Sequence, residues 1–163
     1  MKSLLILYHS RTGGSEAMAR AAMAGAELES GVTVRLLIAA EAAADDLIAA
    51  DGVIFACPEN LAAMSGIMKD FFDRTYYPAL GKVEGRPYAS MICAGSDGEG
   101  AARQIARIAT GWRLKEIAEP LIICTRAQTP DEILAPKTIP DAELARCRDL
   151  GQVLAAGLSL GVF

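Results

Sequence analysis

The feature that most constrains this chain is an alternation. Short, mainly apolar runs at residues 3–8, 32–38, 52–56, 87–93 and 121–124 are separated by stretches with apolar residues at three- and four-residue steps. The runs at 3–8 and 52–56 are apolar without a polar alternate, which reads as strands covered on both faces. Strands alternating with helices, each crossover short, imply a parallel sheet with helices on both sides. Right-handed crossovers and five strands favour the order 2-1-3-4-5. In such a sheet ligands bind beyond the C-terminal strand ends where the order reverses, here between strands 1 and 3.

The helical stretches differ in strength. Residues 15–30 place Met18, Ala21, Ala22, Gly25 and Leu28 on one face, with Gly31 as the stop; residues 41–50 are weakly patterned. Residues 66–77 carry the clearest pattern, with Ile67, Met68, Phe71, Phe72, Thr75 and Tyr76 opposite Lys69, Asp70, Asp73 and Arg74, and Pro78 as the end. A helix over 99–110 closes at Gly111, and the last helix begins near Pro140 with Leu144, Cys147, Gly151, Leu154 and Leu158 in a stripe. Thr129-Pro130-Asp131-Glu132 is a capping box that starts a short helical turn. Residues 112–119 have no readable pattern, and Trp112 there is a satellite of the core or part of a subunit contact. No repeat, low-complexity tract or linker interrupts the chain, so residues 1–163 read as one domain.

Composition removes several classes of function. A net charge of −4 is the wrong sign for a nucleic-acid partner. The four cysteines have no CxxC spacing and there is one histidine, which gives a metal site little to work with. Cys57, Cys93 and Cys124 end apolar runs, so the thiols read as reduced and buried. The chain enters a strand with no basic region before an apolar one, and no run approaches the roughly 20 apolar residues of a membrane span. The expectation is a cytoplasmic protein.

The loops at the expected binding edge are unusual. After the first strand comes His9-Ser10-Arg11-Thr12-Gly13-Gly14-Ser15, hydroxyls interleaved with glycines at the start of a helix. Helix N-termini carry unpaired N–H groups and the positive end of the dipole, which makes this an anion site. Neither the P-loop nor the G-x-G-x-x-G pattern is present, and no lysine or metal-binding carboxylate lies in the turn. A phosphoacceptor receiver would need carboxylates after strand 1 and an aspartate ending strand 3, where Cys57-Pro58 stands instead. A monophosphate wrapped by hydroxyls and N–H groups fits best. The loop 58–65 and the glycine-rich loop 94–100 flank it.

Ser10-Arg11-Thr12-Gly13-Gly14-Ser15 resembles the phosphate loop [TS]-x-T-G-x-[TS] of the flavodoxin-like superfamily. Residues 51–74, D-G-V-I-F-A-C-P-E-N-L-A-A-M-S-G-I-M-K-D-F-F-D-R, resemble the second flavin segment of its NAD(P)H-dependent FMN and quinone reductases. The resemblance runs over about the first two-thirds of the chain. It implies a flavodoxin-like three-layer sandwich and FMN as cofactor. Ser10, Thr12, Gly13, Gly14 and Ser15 would hold the phosphate with Arg11 adding charge. Pro58, Glu59, Asn60, Leu61 and Ala62 would flank the ring, and Ala94, Gly95, Ser96 and Gly98 would meet its pyrimidine edge. No catalytic acid or base is implied, because the flavin carries the chemistry. NAD(P)H would be the donor, a small-molecule quinone or flavin the acceptor, and a homodimer or homotetramer the assembly.

The chain departs from the pattern in lacking an aromatic at Asn60 or Leu61, and in Ala62-Ala63 where relatives often carry glycine. Three readings stand: an FMN-dependent oxidoreductase, a flavodoxin-like electron carrier without turnover, and a cofactor-less structural or regulatory domain. His9 reads as a proton donor or as a partner of the neighbouring loop, and Glu59 as tuning the ring or as a solvated carboxylate. Arg103 and Arg107 read as receivers of a nicotinamide cofactor's phosphate or as an ordinary exposed helix face.

Overall fold

In the computed structural model, which describes residues 1–163, the first apolar run becomes the middle of the sheet. β1 (Lys2–Tyr8) lies parallel between β2 (Val32–Ile38) and β3 (Gly52–Asn60), and β5 (Pro87–Ala94) follows β3 outward. β4 (Ala63–Met64) is a two-residue antiparallel return on β3. Two short parallel strands share the far edge, β6 (Lys115–Glu116) against the start of β5 and β7 (Leu121–Cys124) against its end. The five apolar runs thus stand in the expected order 2-1-3-4-5, but the fifth position is divided. The unpatterned stretch supplies β6, and Pro120, with no N–H for a ladder, lies in the break before β7.

The unbroken apolar runs feed two cores. Leu4, Ile6 and Tyr8 of β1, with Ile54 and Ala56 of β3, enter the core covered by α1 (Gly14–Ala26) and α6 (Asp141–Leu160). Leu5 and Leu7, with Val53, Phe55 and Cys57, enter the core covered by α2 (Ala44–Ala49), α3 (Gly66–Ala79) and α4 (Glu99–Gly111). Alternation of side chains along a strand makes one run serve both. α1 and α6 cross so closely that a Cβ on Gly25 would strike the Arg148 carbonyl, and one on Gly151 the Ala22 carbonyl. α5 (Pro130–Leu134) starts at the expected capping box and buries none of its residues. No helix is long and apolar enough to cross a membrane.

Several expectations change. α1 stops at Ala26, and Leu28, placed on its buried face by spacing, is 65 % exposed in the turn that follows. α2 is shorter than the stretch 41–50, opening where the Asp46 carboxylate accepts the Ala43 N–H. Pro78 does not end α3. It sits in the last turn, where the one hydrogen bond it forgoes does not propagate, and the helix closes at Ala79. Ile67 is 41 % exposed, whereas Met68, Phe71, Phe72 and Thr75 are buried.

Trp112 is fully buried, so its place is the core. Its indole N–H donates to the Tyr76 carbonyl at 2.9 Å, and its ring stacks on Tyr76 at 5.6 Å and 17°. Truncating such an aromatic costs about 3–5 kcal/mol. An exposed ion pair such as Lys69–Asp73 at 2.7 Å is worth about 0.3–0.5 kcal/mol, so packing dominates on this face. Cys57, Cys93 and Cys147 are buried thiols, but Cys124 is exposed, because it ends an edge strand.

Candidate functional site

The turn after β1 is held open by its own backbone. His9 N–H donates to the Ala56 carbonyl (3.0 Å), keeping the chain beside β3, and Gly13 N–H donates to Ser10 Oγ (3.1 Å), curling it toward α1. Gly13 has φ +95° and precedes α1 with no side-chain cap, a left-handed conformation suited to glycine. The N–H groups of Arg11 and Thr12 enter no hydrogen bond within the protein, and the first N–H groups of α1 have no intrahelical acceptor. Ser15 Oγ is the one buried side-chain polar atom without a partner, in a residue 2 % exposed. An orphaned hydroxyl costs about 1–3 kcal/mol, which marks this turn as built for something polar from outside the chain. Of this turn, Arg11 and Thr12 line the cavity described below, whereas Ser10, Gly13, Gly14 and Ser15 lie behind its lining around the start of α1.

The stretch 58–65, expected as a loop, is a hairpin. β3 continues through Pro58, Glu59 and Asn60, and β4 returns with Asn60 opposite Ala63. The two turn residues, Leu61 (φ +52°) and Ala62 (φ +63°), are both left-handed, the requirement of a type I′ turn usually met by Asn-Gly. Leu61 is fully exposed at the tip and, with Pro58, Glu59 and Asn60, lines the cavity described below; Ala62 does not. The Glu59 carboxylate accepts the N–H groups of Gly98 (2.9 Å) and Ala101 (3.1 Å), so it caps α4 rather than standing free in the loop.

The third segment follows β5. The Ala94 carbonyl accepts from Thr125 N–H (2.8 Å) and the Gly95 carbonyl from Arg126 N–H (2.8 Å), while the N–H groups of Gly95, Ser96 and Asp97 donate to no protein group. Ala94, Gly95 and Ser96 line the cavity. Gly98 does not, since it is buried behind them at the start of α4.

These segments enclose a cavity of about 480 Å³ at the C-terminal ends of β1, β3 and β5, within the size range of small-molecule sites. Its remaining wall comes from Thr125, Ala127, Gln128, Ile133, Leu134 and Lys137, none of which sequence reasoning assigned. The signal was there in part: the Thr129 capping box fixes a turn in the long connection after β7, at the same sheet edge.

The charges near the cavity are mostly committed. Lys137 donates its ammonium to the carbonyls of Glu132, Ile133 and Ala135, and Glu59 is bound to α4, which leaves the exposed Arg11 as the free charge on the lining. His9 Nδ1 shares a 2.8 Å hydrogen bond with the buried Ser65 Oγ at the start of α3, tying the turn to the hairpin. Burial, and then the Arg11 charge, lower the His9 pKa from 6.5. The Cys93 thiol lines the cavity, but burial pushes its pKa up to about 11, so it stays protonated and unreactive. Arg103 and Arg107 are exposed on α4 and take no part in the lining. The arrangement can seat an anion at α1 and a flat body against the hairpin, with unpaired backbone donors along one edge.

Residues 38–118 match the NADPH-dependent FMN reductase family. A flavodoxin of Aquifex aeolicus is 33 % identical over 100 residues, 61 % of this chain and 54 % of that protein. An NAD(P)H dehydrogenase (quinone) of Acidithiobacillus ferrooxidans is 36 % identical over 95 residues, 46 % of this chain and 48 % of that protein. The matches therefore span about half the length of each relative. Among solved structures, a flavodoxin from the domain Archaea superposes with a TM-score of 0.77 at 21 % identity, over 96 % of this chain and 98 % of that one, a likeness of fold.

Proposed function

We propose that this chain, which has the flavodoxin-like fold and matches the NADPH-dependent FMN reductase family over residues 38–118, binds FMN and passes electrons from NAD(P)H to a quinone, flavin or similar small acceptor. The observation that carries this is the orphaned, buried Ser15 hydroxyl in the first turn of α1, beside unpaired N–H groups and the left-handed Gly13. A phosphate monoester supplies the acceptors those donors lack. The donors are neutral and the nearby lysine is spent on α5, which suits a phosphate held without a metal ion.

Bound FMN would supply the hydride and electron transfer. The chain's own part is to anchor and orient. Ser10, Thr12, Gly13, Gly14 and Ser15 would hold the phosphate, and Arg11 would add charge from the rim. The free N–H groups of Gly95, Ser96 and Asp97 would donate to the oxygens of the pyrimidine edge. Pro58 and Leu61 would lie against the ring, and Leu61, an aliphatic side chain, leaves room for an acceptor to stack. No side chain in the cavity is assigned a proton-transfer role: Cys93 is held protonated and Glu59 is bound to α4.

The test is the visible spectrum of the purified protein before and after added FMN, followed by NADH or NADPH with a quinone under anaerobic conditions. A yellow protein that oxidises NAD(P)H is expected, and a colourless one that takes up no FMN overturns the reading. A yellow protein inert to NAD(P)H would favour the electron carrier, the reading that the Aquifex relative supports. Ser15→Ala sharpens the assignment. Hydrogen bonds to charged groups are worth about 1.5–3 kcal/mol, so the variant should bind FMN roughly ten- to a hundredfold more weakly while the flavin-free protein melts no lower than wild type. Unchanged FMN affinity would mean the phosphate lies elsewhere.

A further inference from the structure

The connection from β7 to α6, residues 125–139, has no part in the reading above, yet it forms one side of the cavity. It is tied at both ends to the loops proposed to hold the flavin. At its start the N–H groups of Thr125 and Arg126 donate to the carbonyls of Ala94 and Gly95, each at 2.8 Å. At its end Lys137 N–H donates to the Thr12 carbonyl, also at 2.8 Å. Between these ties, Thr129 Oγ1 accepts the Glu132 N–H and starts α5. The Lys137 ammonium closes α5 on the carbonyls of Glu132, Ile133 and Ala135 at 2.7, 2.9 and 2.6 Å. One lysine therefore pins the segment to the phosphate loop through its backbone and fixes α5 through its side chain.

α5 is firmly held, but none of its residues is buried. Ile133 is 49 % exposed and Leu134 59 %, and both line the cavity, as does Leu61 at the hairpin tip. A single exposed leucine needs no explanation. Three aliphatic side chains brought to one cavity by two separately anchored elements do need one: an apolar body that fills the cavity would cover all three. The phosphate end of that body has its place at α1. The part left for the aliphatic residues is the ring.

We propose that Ile133 and Leu134 form an aliphatic wall which, with Leu61, holds the ring system of the flavin, making the β7–α6 connection the fourth flavin-binding segment of this chain. The proposal rests on the FMN reading. It also gives the chain a substitute for the aromatic cover that Asn60 and Leu61 do not supply, since burying an aliphatic side chain against a flat ring removes apolar area from water just as stacking does.

The test is fluorescence titration of the flavin-free protein with FMN and with riboflavin, which lacks the phosphate. In Ile133→Gln/Leu134→Gln both side chains stay long and helix-compatible, and both positions are exposed, so the melting temperature should not change. Affinity for both flavins should fall about tenfold and by the same factor, because the lost contact is with the ring. Leu134→Met, still apolar, should bind both flavins as wild type does. Ser15→Ala, by contrast, should weaken FMN and spare riboflavin. Wild-type affinity for both flavins in the double glutamine variant overturns the proposal, including where the KM for a naphthoquinone rises, since that result assigns the wall to the acceptor. A wild-type protein that takes up neither flavin overturns the FMN reading, and this proposal with it.

Discussion

At the scale of single residues, His9 shows how the site is held together before any ligand arrives. It leaves the end of β1 half-buried and meets Ser65 across the gap to α3. Because burial and Arg11 lower its pKa from 6.5, the fold favours the neutral imidazole while the unfolded chain takes up a proton near 6.5. Its contribution to stability is therefore complete above that value, and is lost as the pH falls from there through the lower folded value. Between about pH 7.5 and about pH 5.5 the melting temperature of wild type should fall further than that of His9→Asn, which keeps a polar partner for Ser65 but does not titrate. Identical pH dependence in the two proteins would remove His9 from the account. Glu59 makes a related point: a carboxylate in the stretch expected to flank the ring, read as ring-tuning or solvated, is occupied in capping the helix next door.

At the scale of elements, the hairpin between β3 and β4 places two left-handed non-glycine residues side by side, whereas Arg113 and Arg126 each stand alone. Leu61 and Ala62 both hold left-handed φ values that a side chain disfavours by about 1–2 kcal/mol per residue. Strain of this kind persists where the surroundings over-determine it, and here the hairpin is fixed by the Glu59 bonds to α4 and by Met64 N–H donating to Gln104 Oε1 at 2.8 Å. Ala62→Gly relieves one strained position at some cost in unfolded-state entropy, so urea unfolding should show a net gain of about 0.5–1 kcal/mol. A loss of stability would mean that the left-handed turn is not strained. Ala62 lies off the cavity lining, so flavin affinity serves as an independent check that the tip has kept its shape.

At the scale of the molecule, the sheet divides the chain into two cores and leaves one edge for function. The same division sets thiol chemistry. Burial pushes the Cys57 and Cys147 thiols up to about 12 and Cys93 to about 11, while Cys124 alone is exposed at the end of the edge strand. A disulfide reagent added to the native protein should therefore modify one thiol quickly, and all four only after denaturation. Fast reaction of Cys57 or Cys147 in the native protein would show that one of the cores opens readily.

What could be read without a structure followed from local chemistry. Unbroken apolar runs required a sheet covered on both faces, short crossovers required it to be parallel, and hydroxyls and glycines after β1 required an anion site at a helix start. Each of those inferences depends on neighbours in sequence. The rest depended on neighbours in space. That Cys124 is exposed follows from its place on an edge strand, and that Trp112 is core follows from Tyr76 lying beneath it. Neither fact is written in the flanking residues. The hairpin at Leu61-Ala62 was hidden because its sequence lacks the Asn-Gly signal, and only its anchorage to α4 holds it. The aliphatic wall on α5 was hidden for the same reason. Five residues with no periodicity become part of a site when backbone hydrogen bonds at both ends of their segment carry them to the sheet edge that the first strand had already marked.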